Sequence, residues 1–278
     1  MIGSSKALLQ AAAGYAATES GYDIANASYD SVSFSVSGQD TNPRDIIFNS
    51  DGTKLYLTGT QNDKVYQYSL STAYDLSTAS YDSVSFSVSG QSTAPASVHF
   101  KPDGTKMYVA GFNTDSVYQY TLSTGYDLST ASYDSVSFSF SSQDGTPQDV
   151  FFHTDGTSLY MVGSDNDTIY QYSLSTAWDI STASYASKSF SVSSQETTPQ
   201  SIFIKSDGSK VFLLGYASDA VYQYSLSTAW DISTASYDNV SFSVVAQSTV
   251  GVGLTFKPDG TKMYISDTTA DAIFQYST

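Results

Sequence analysis

Large apolar and small polar residues alternate along much of this chain. In Ser83-Val84-Ser85-Phe86-Ser87-Val88-Ser89 every second side chain is large and apolar, which is the period of a β-strand with one buried face. The run Ser97-Val98-His99-Phe100 is mostly apolar and predicts a short strand covered on both sides. Asp103-Gly104 then supplies the positive dihedrals of a tight hairpin, and Lys106-Met107-Tyr108-Val109-Ala110 makes the next strand. Ser116-Val117-Tyr118-Gln119-Tyr120-Thr121-Leu122 makes the last. Helical periodicity is absent from these segments.

The pattern recurs every 52 residues without insertion or deletion. Tyr66-Gln67-Tyr68 returns as Tyr118-Gln119-Tyr120, Tyr170-Gln171-Tyr172, Tyr222-Gln223-Tyr224 and Phe274-Gln275-Tyr276. The units are residues 22–73, 74–125, 126–177, 178–229 and 230–278, after a lead (residues 1–21) expected to be a short helix or flexible. Four short antiparallel strands in each of five units predict an all-β fold, a five-bladed β-propeller. The repeats open on an outermost strand, Ser31 to Ser37, and end on a third strand, Ala272 to Tyr276. The N-terminal strand is therefore expected to complete the last blade and close the ring, removing an exposed sheet edge.

Pro95, an apolar strand and then Lys101-Pro102-Asp103-Gly104-Thr105-Lys106-Met107-Tyr108-Val109 resemble a YVTN-type propeller repeat, and the resemblance covers about residues 22–278. It implies the fold and says little of function, because propellers host lyases, lactonases, lectins and scaffolds alike. Trp178-Asp179 and Trp230-Asp231 do not make WD repeats: they precede the alternating strand, and Tyr22, Tyr74 and Tyr126 replace the tryptophan. The fivefold ring resembles tachylectin-type lectins, and the near-identical repeats with an Ala-rich lead resemble propeller modules of surface proteins and phage tails. Those resemblances imply an extracellular, cell-surface or virion-associated protein whose lead docks to a larger assembly.

Composition narrows the classes. The formal charge of −16, from 27 acidic and 11 basic residues, repels nucleic acid and anionic membranes. No apolar run is long enough for a membrane-spanning helix. With no cysteine and two histidines, a thiolate or zinc site is not expected. His99 stands where Ile47, Phe151, Phe203 and Thr255 stand and reads as a tolerated core substitution, while His153 adjoins a turn. Calcium could use Asp165 and Asp167, although a turn explains that run equally well. Asp23, Asp75, Asp127, Asp179 and Asp231 read as Asx turns.

The five copies differ chiefly in the loops between one blade's last strand and the next blade's first, and between second and third strands. Both loop sets emerge on one face. Recognition of a glycan or a cell-surface protein there would use Arg44, Gln148, Gln200, Phe112, Asn113 and Tyr216. The invariant Gln39, Gln91, Gln143, Gln195 and Gln247 could bind hydroxyl groups or serve neighbouring backbone. A non-catalytic binding module is thus the leading expectation, and a purely structural propeller the second. A glycan-cleaving enzyme working from Asp45, Asp149 and Glu196 is the third.

Overall fold

The computed structural model describes residues 21–278; the expectation for the lead falls almost wholly outside the described residues. Strand β1 (Ser28–Ser35) opens the fold. The first blade follows as β2 (Pro43–Phe48), β3 (Lys54–Gly59), β4 (Lys64–Leu70) and β5 (Ala79–Ser87). The second is β6 (Pro95–Phe100), β7 (Lys106–Gly111), β8 (Ser116–Leu122) and β9 (Ala131–Ser139). The third is β10 (Pro147–Phe152), β11 (Ser158–Gly163), β12 (Thr168–Leu174) and β13 (Ala183–Ser191). The fourth is β14 (Pro199–Ile204), β15 (Lys210–Gly215), β16 (Ala220–Leu226) and β17 (Ala235–Ser243). The fifth holds β18 (Gly251–Phe256), β19 (Lys262–Asp267) and β20 (Ala272–Ser277), completed by β1. The result is a five-bladed propeller of four-stranded antiparallel sheets, closed as expected.

Outer strands begin earlier than the alternation suggests. β5 starts at Ala79 and carries a bulge where Tyr68 pairs with Tyr81 and Gln67 with Val84. Two extra residues, Asp82 and Ser83, lie between these partners, and Ser83 sits at φ 59°. The bulge lets Tyr81 and Val84 both face inward although three positions separate them, which hides the strand's first half from a period-two reading.

Each Asp-Gly hairpin also serves the next unit. The five glycines have φ between 71° and 78°. A Cβ on Gly52 would meet the Tyr74 ring, and on Gly156 the Trp178 ring. The aromatic opening each unit thus lies flat on the preceding turn, itself in the left-handed region at φ 61–65°. Asp75 caps the single 3-10 turn that follows, its carboxylate accepting from Ser77 N and Oγ at 3.1 and 2.6 Å. Asp127, Asp179 and Asp231 do likewise. Asp23 holds Asn26 instead, because Ala25 stands where the serine would.

The Tyr-Gln-Tyr triplet is an inter-blade clamp. Gln67 is buried; its Oε1 accepts from Leu128 N of the next blade at 3.0 Å and its Nε2 donates to Asp82 at 2.8 Å. Lys54 pairs with the same carboxylate at 3.2 Å. The arrangement repeats as Gln119–Asp134–Lys106 and Gln223–Asp238–Lys210. The third blade has Ser158 and Ala186 in place of the lysine and the aspartate; the pair is lost together. At the seam β1 supplies Asp30, which accepts from Gln275 at 2.9 Å and Ser277 at 2.6 Å and pairs with Lys262 at 2.5 Å. Gln275 in turn holds Leu76 N of the first blade at 3.0 Å.

Tyr22 stacks over Gly260 and donates its hydroxyl to Pro258 O at 2.9 Å, so the seam is closed twice. Val36 is fully buried, while Val32 and Phe34 are half-buried against the first blade. Full burial of such a side chain contributes about 1.5–3 kcal/mol, so Val32 and Phe34 contribute less than Val36. Deleting residues 1–38 should leave β20 with a bare edge and open the ring. Light scattering should then show oligomers and a lower melting temperature; a monomer melting as the full chain does would refute this role for β1.

Candidate active site

The inner strands β2, β6, β10, β14 and β18 surround the axis. Each has an irregularity just after its first residue, for example between Pro147 and Asp149. The extra residue lets two consecutive positions reach the axis, such as Arg44 and Asp45 or Gln148 and Asp149.

Asp45, Ser97, Asp149, Ser201 and Gly253 form a belt just below this irregularity. Asp45 accepts Val98 N at 2.9 Å, and Ser97 Oγ accepts Val150 N at 3.2 Å. Asp149 accepts Ile202 N at 2.9 Å and Ser201 Oγ at 2.7 Å, and Ser201 Oγ accepts Leu254 N at 3.1 Å. Gly253 has no side chain to extend the belt; a Cβ there would strike Asp45 Cα and Arg44 O. A serine hydroxyl performs this linkage twice, so the linkage does not require carboxylates at Asp45 and Asp149.

Those carboxylates are buried, and desolvation disfavours their charged forms. Burial pushes Asp149 up to about 7 against the donors from Ile202, Ser201 and Val150. Burial raises Asp45 well above the usual carboxylate range, and the neighbouring Asp149 charge adds to it. Below them a cavity of about 190 Å³ is walled by Ile47, Phe151, Phe203, Phe256 and His99. His99, expected to be a core substitution, therefore faces the same space as both aspartates. Burial lowers its pKa to about 4, so the imidazole is neutral. His153 instead pairs with Asp155 at 2.7 Å.

A second cavity of about 290 Å³ opens on the variable-loop face. Arg44, Gln148, Gln200, Phe112 and Tyr216 line it together with Thr198, Val250 and Val252. The remaining candidates lie elsewhere. Glu196 is held in a loop clasp, accepting from Thr198 N, Ala217 N, Ser218 N and Ser218 Oγ. Asp40 and Asp144 occupy the same place, and a Cβ on the facing Gly59, Gly163 or Gly215 would collide with the acid. The fifth blade swaps the two sides, with Ser248 donating to Asp267 at 2.7 Å. Asn113 ties its loop to Ser92 and Thr93. Gln39, Gln91 and Gln143 accept from the Tyr68, Tyr120 and Tyr172 hydroxyls. Gln195 and Gln247 donate their backbone N–H to Val192 O and Val244 O. Asp165 accepts from Thr146 Oγ1, while Asp167 Oδ1 is buried without a partner. Among the described residues no three His, Cys, Asp or Glu side chains converge as a metal site.

A family model described as "Lactonase, 7-bladed beta-propeller" matches residues 20–177 and again residues 88–277. The chain belongs to the lactonase propeller family. It does so with five blades, and overlapping matches are what near-identical repeats produce.

The structures similar to this lactonase-family propeller share its fold at low identity. A putative 6-phosphogluconolactonase from Bacteroides uniformis is 12% identical, with a TM-score of 0.51 over 82% of this chain and 64% of its own. This chain thus spans less than two thirds of that one. A protein from Lactobacillus plantarum is 13% identical, with a TM-score of 0.51 over 84% of this chain and 67% of its own. No curated protein matches the sequence.

Family membership overturns the expectation of a non-catalytic binding module and points to an enzyme. It equally replaces the lectin and phage-tail resemblances. The enzymatic alternative, framed above as glycan cleavage from central carboxylates, lies closer. Among the described residues no helix is long and apolar enough to cross a membrane.

The raised carboxylates affect stability. Free aspartate titrates near about 3.9, so between about pH 4 and 7 the unfolded chain loses its proton before folded Asp149 does. Stability from this group is therefore highest at low pH and falls as pH rises to about 7. Asp149→Asn should match the parent near pH 4 and exceed it above pH 7 by on the order of 2 kcal/mol. Denaturant unfolding at both pH values checks this; an equal offset at each would refute it.

Proposed function

We propose that this lactonase-family propeller hydrolyses a small cyclic ester at the axis, with Asp149 as general base. The observation that carries this reading is a carboxylate poised near neutrality beside an apolar-walled cavity, at a position where serine would serve the fold. Ionised Asp149 takes a proton from water as its oxygen bonds to the lactone carbonyl carbon. The ring C–O bond of the tetrahedral intermediate then breaks, and the departing alkoxide receives a proton from the Asp45–Asp149 pair. The product is an open-chain hydroxy acid.

Two buried carboxylates that interact share their protons, so near neutral pH one is charged while the other holds a hydrogen. Burial raises both carboxyls, and the Asp149 charge raises Asp45 further, so the proton the pair retains is favoured on Asp45 whenever Asp149 is ionised. Neutral His99 offers the cavity a hydrogen-bond donor and acceptor. The apolar walls exclude bulk water, which strengthens each of these polar contacts.

A panel of γ- and δ-lactones assayed by acid release tests this. Activity should rise with pH to a plateau above about pH 7, as Asp149 ionises. Asp149→Asn should lower kcat/KM by about 10²–10⁴-fold while the protein stays folded. Asp149→Asn turning over at the parent rate would remove Asp149 as the base.

A further inference from the structure

Arg44 is the single arginine in a sequence of 278 residues and net charge −16, and it stands on the axis. Its Nη2 donates to Gln148 Oε1 at 2.8 Å and to Gln200 Oε1 at 3.3 Å, reaching the third and fourth blades from the first. Both acceptors are neutral amides. Its Nε is buried and has no hydrogen-bond partner. The carboxylate acting on it electrostatically is Asp45, which burial biases toward the uncharged acid. Among the described residues no ionised group thus pairs with this charge, and a half-buried guanidinium with a buried Nε in that state is costly unless a ligand supplies a counter-ion.

The surroundings say what kind of ligand. Among the described residues, Arg44 is the one charged side chain lining the cavity of about 290 Å³ on the variable-loop face. Phe112 and Tyr216, which stand at its rim on the second and fourth blades, are 37% and 45% exposed. The fifth blade contributes Val250 and Val252, where the third has Thr146 and Gln148. The site thus joins one cation and two amides to an apolar and aromatic wall.

We propose that this cavity binds the carboxylate of a small amphipathic acid, the acid group on Arg44 and the hydrocarbon against Val250, Val252, Phe112 and Tyr216. A planar carboxylate matches the guanidinium edge and carries the single charge the site lacks. A phosphate dianion would bring a second charge into an apolar pocket with nothing to pair it. The site goes beyond the hydrolase reading and does not depend on it, because it lies on residues separate from Asp149 and His99.

Calorimetric titration of the described protein in its full chain tests the proposal with acetate, hexanoate, hexanol and inorganic phosphate as probes. Hexanoate should bind more tightly than acetate, and hexanol roughly tenfold or more weakly than hexanoate. Arg44→Gln should weaken hexanoate by a similar factor, with Arg44→Lys intermediate. Because Arg44 bridges three blades, its variants are compared by melting. The double change Phe112→Ala with Tyr216→Ala, at exposed positions, gives an independent arm and should weaken hexanoate but not acetate. Hexanol binding as well as hexanoate, phosphate binding more tightly, or hexanoate indifferent to both sets of substitutions would each overturn the proposal.

Discussion

A four-stranded blade buries both of its faces only when another blade lies on each side, so this fold is stable only as a closed ring. The blades are joined at two radii. Near the rim a buried glutamine from each of four blades captures the backbone N–H that starts the neighbour's 3-10 turn, as Gln67 does with Leu128 and Gln275 with Leu76. Near the axis the side chains of Asp45, Ser97, Asp149 and Ser201 each take an N–H from the following inner strand. Desolvated donors that would otherwise be orphaned thus become the linkages between units.

Closure makes the axis a place where five unequal side chains meet at each level. Nothing in the hydrogen bonding of the inner belt needs a charge, since Ser97 and Ser201 manage with hydroxyls. Asp45 and Asp149 accept a desolvation cost there, and buried carboxylates with raised pKa values are a familiar property of acid–base sites. Arg44 stands one residue from Asp45, so a bulge in one strand presents a cation to the upper cavity and a carboxylate to the lower. The ring's scaffold and its chemistry are built from adjacent residues of the same strand.

Much of the architecture could be read from the chain because each repeat states it again. The Asp51-Gly52 turn, the Ser-Val-Ser-Phe alternation and the missing last strand led to blades, hairpins and seam. The bulge at Asp82 and Ser83 was hidden, because the inserted residues, Ser83 in the left-handed region, break the period that marks a strand. Asp45 and Asp149 could be noticed as departures from serine, but the cavity beneath them depends on how five distant strands converge. His99 keeps its place in the inner-strand column, packed on Phe151 and Phe152, but that column also faces the cavity, and a column reads as core whether it meets protein or empty space. Glu196 looked equivalent to the axial acids until its loop partners were visible; the glycine facing each loop acid (Gly59, Gly163 and Gly215), with the sides exchanged at Ser248 and Asp267, was the available signal. The loss of Lys and Asp together at Ser158 and Ala186 was a legible trace of a contact that the repeats carry elsewhere.

The seam between β1 and β20 also orders events in time. During synthesis, β1 emerges before the blades and its hydrogen-bonding partner, residues 272–277, emerges after all the other strands of the ring. Between those moments more than 200 residues of sticky, edge-bearing blades exist without the contact that finishes the ring. Such a pairing, with almost the whole chain between its halves, carries the largest loop-closure entropy in the molecule. Near-identical blades make the interval more hazardous, since β1 of one chain fits β20 of another as well as its own. Domain exchange between neighbouring nascent chains is the misassembly that this geometry invites, and dilution or early chaperone cover of β1 is what would suppress it.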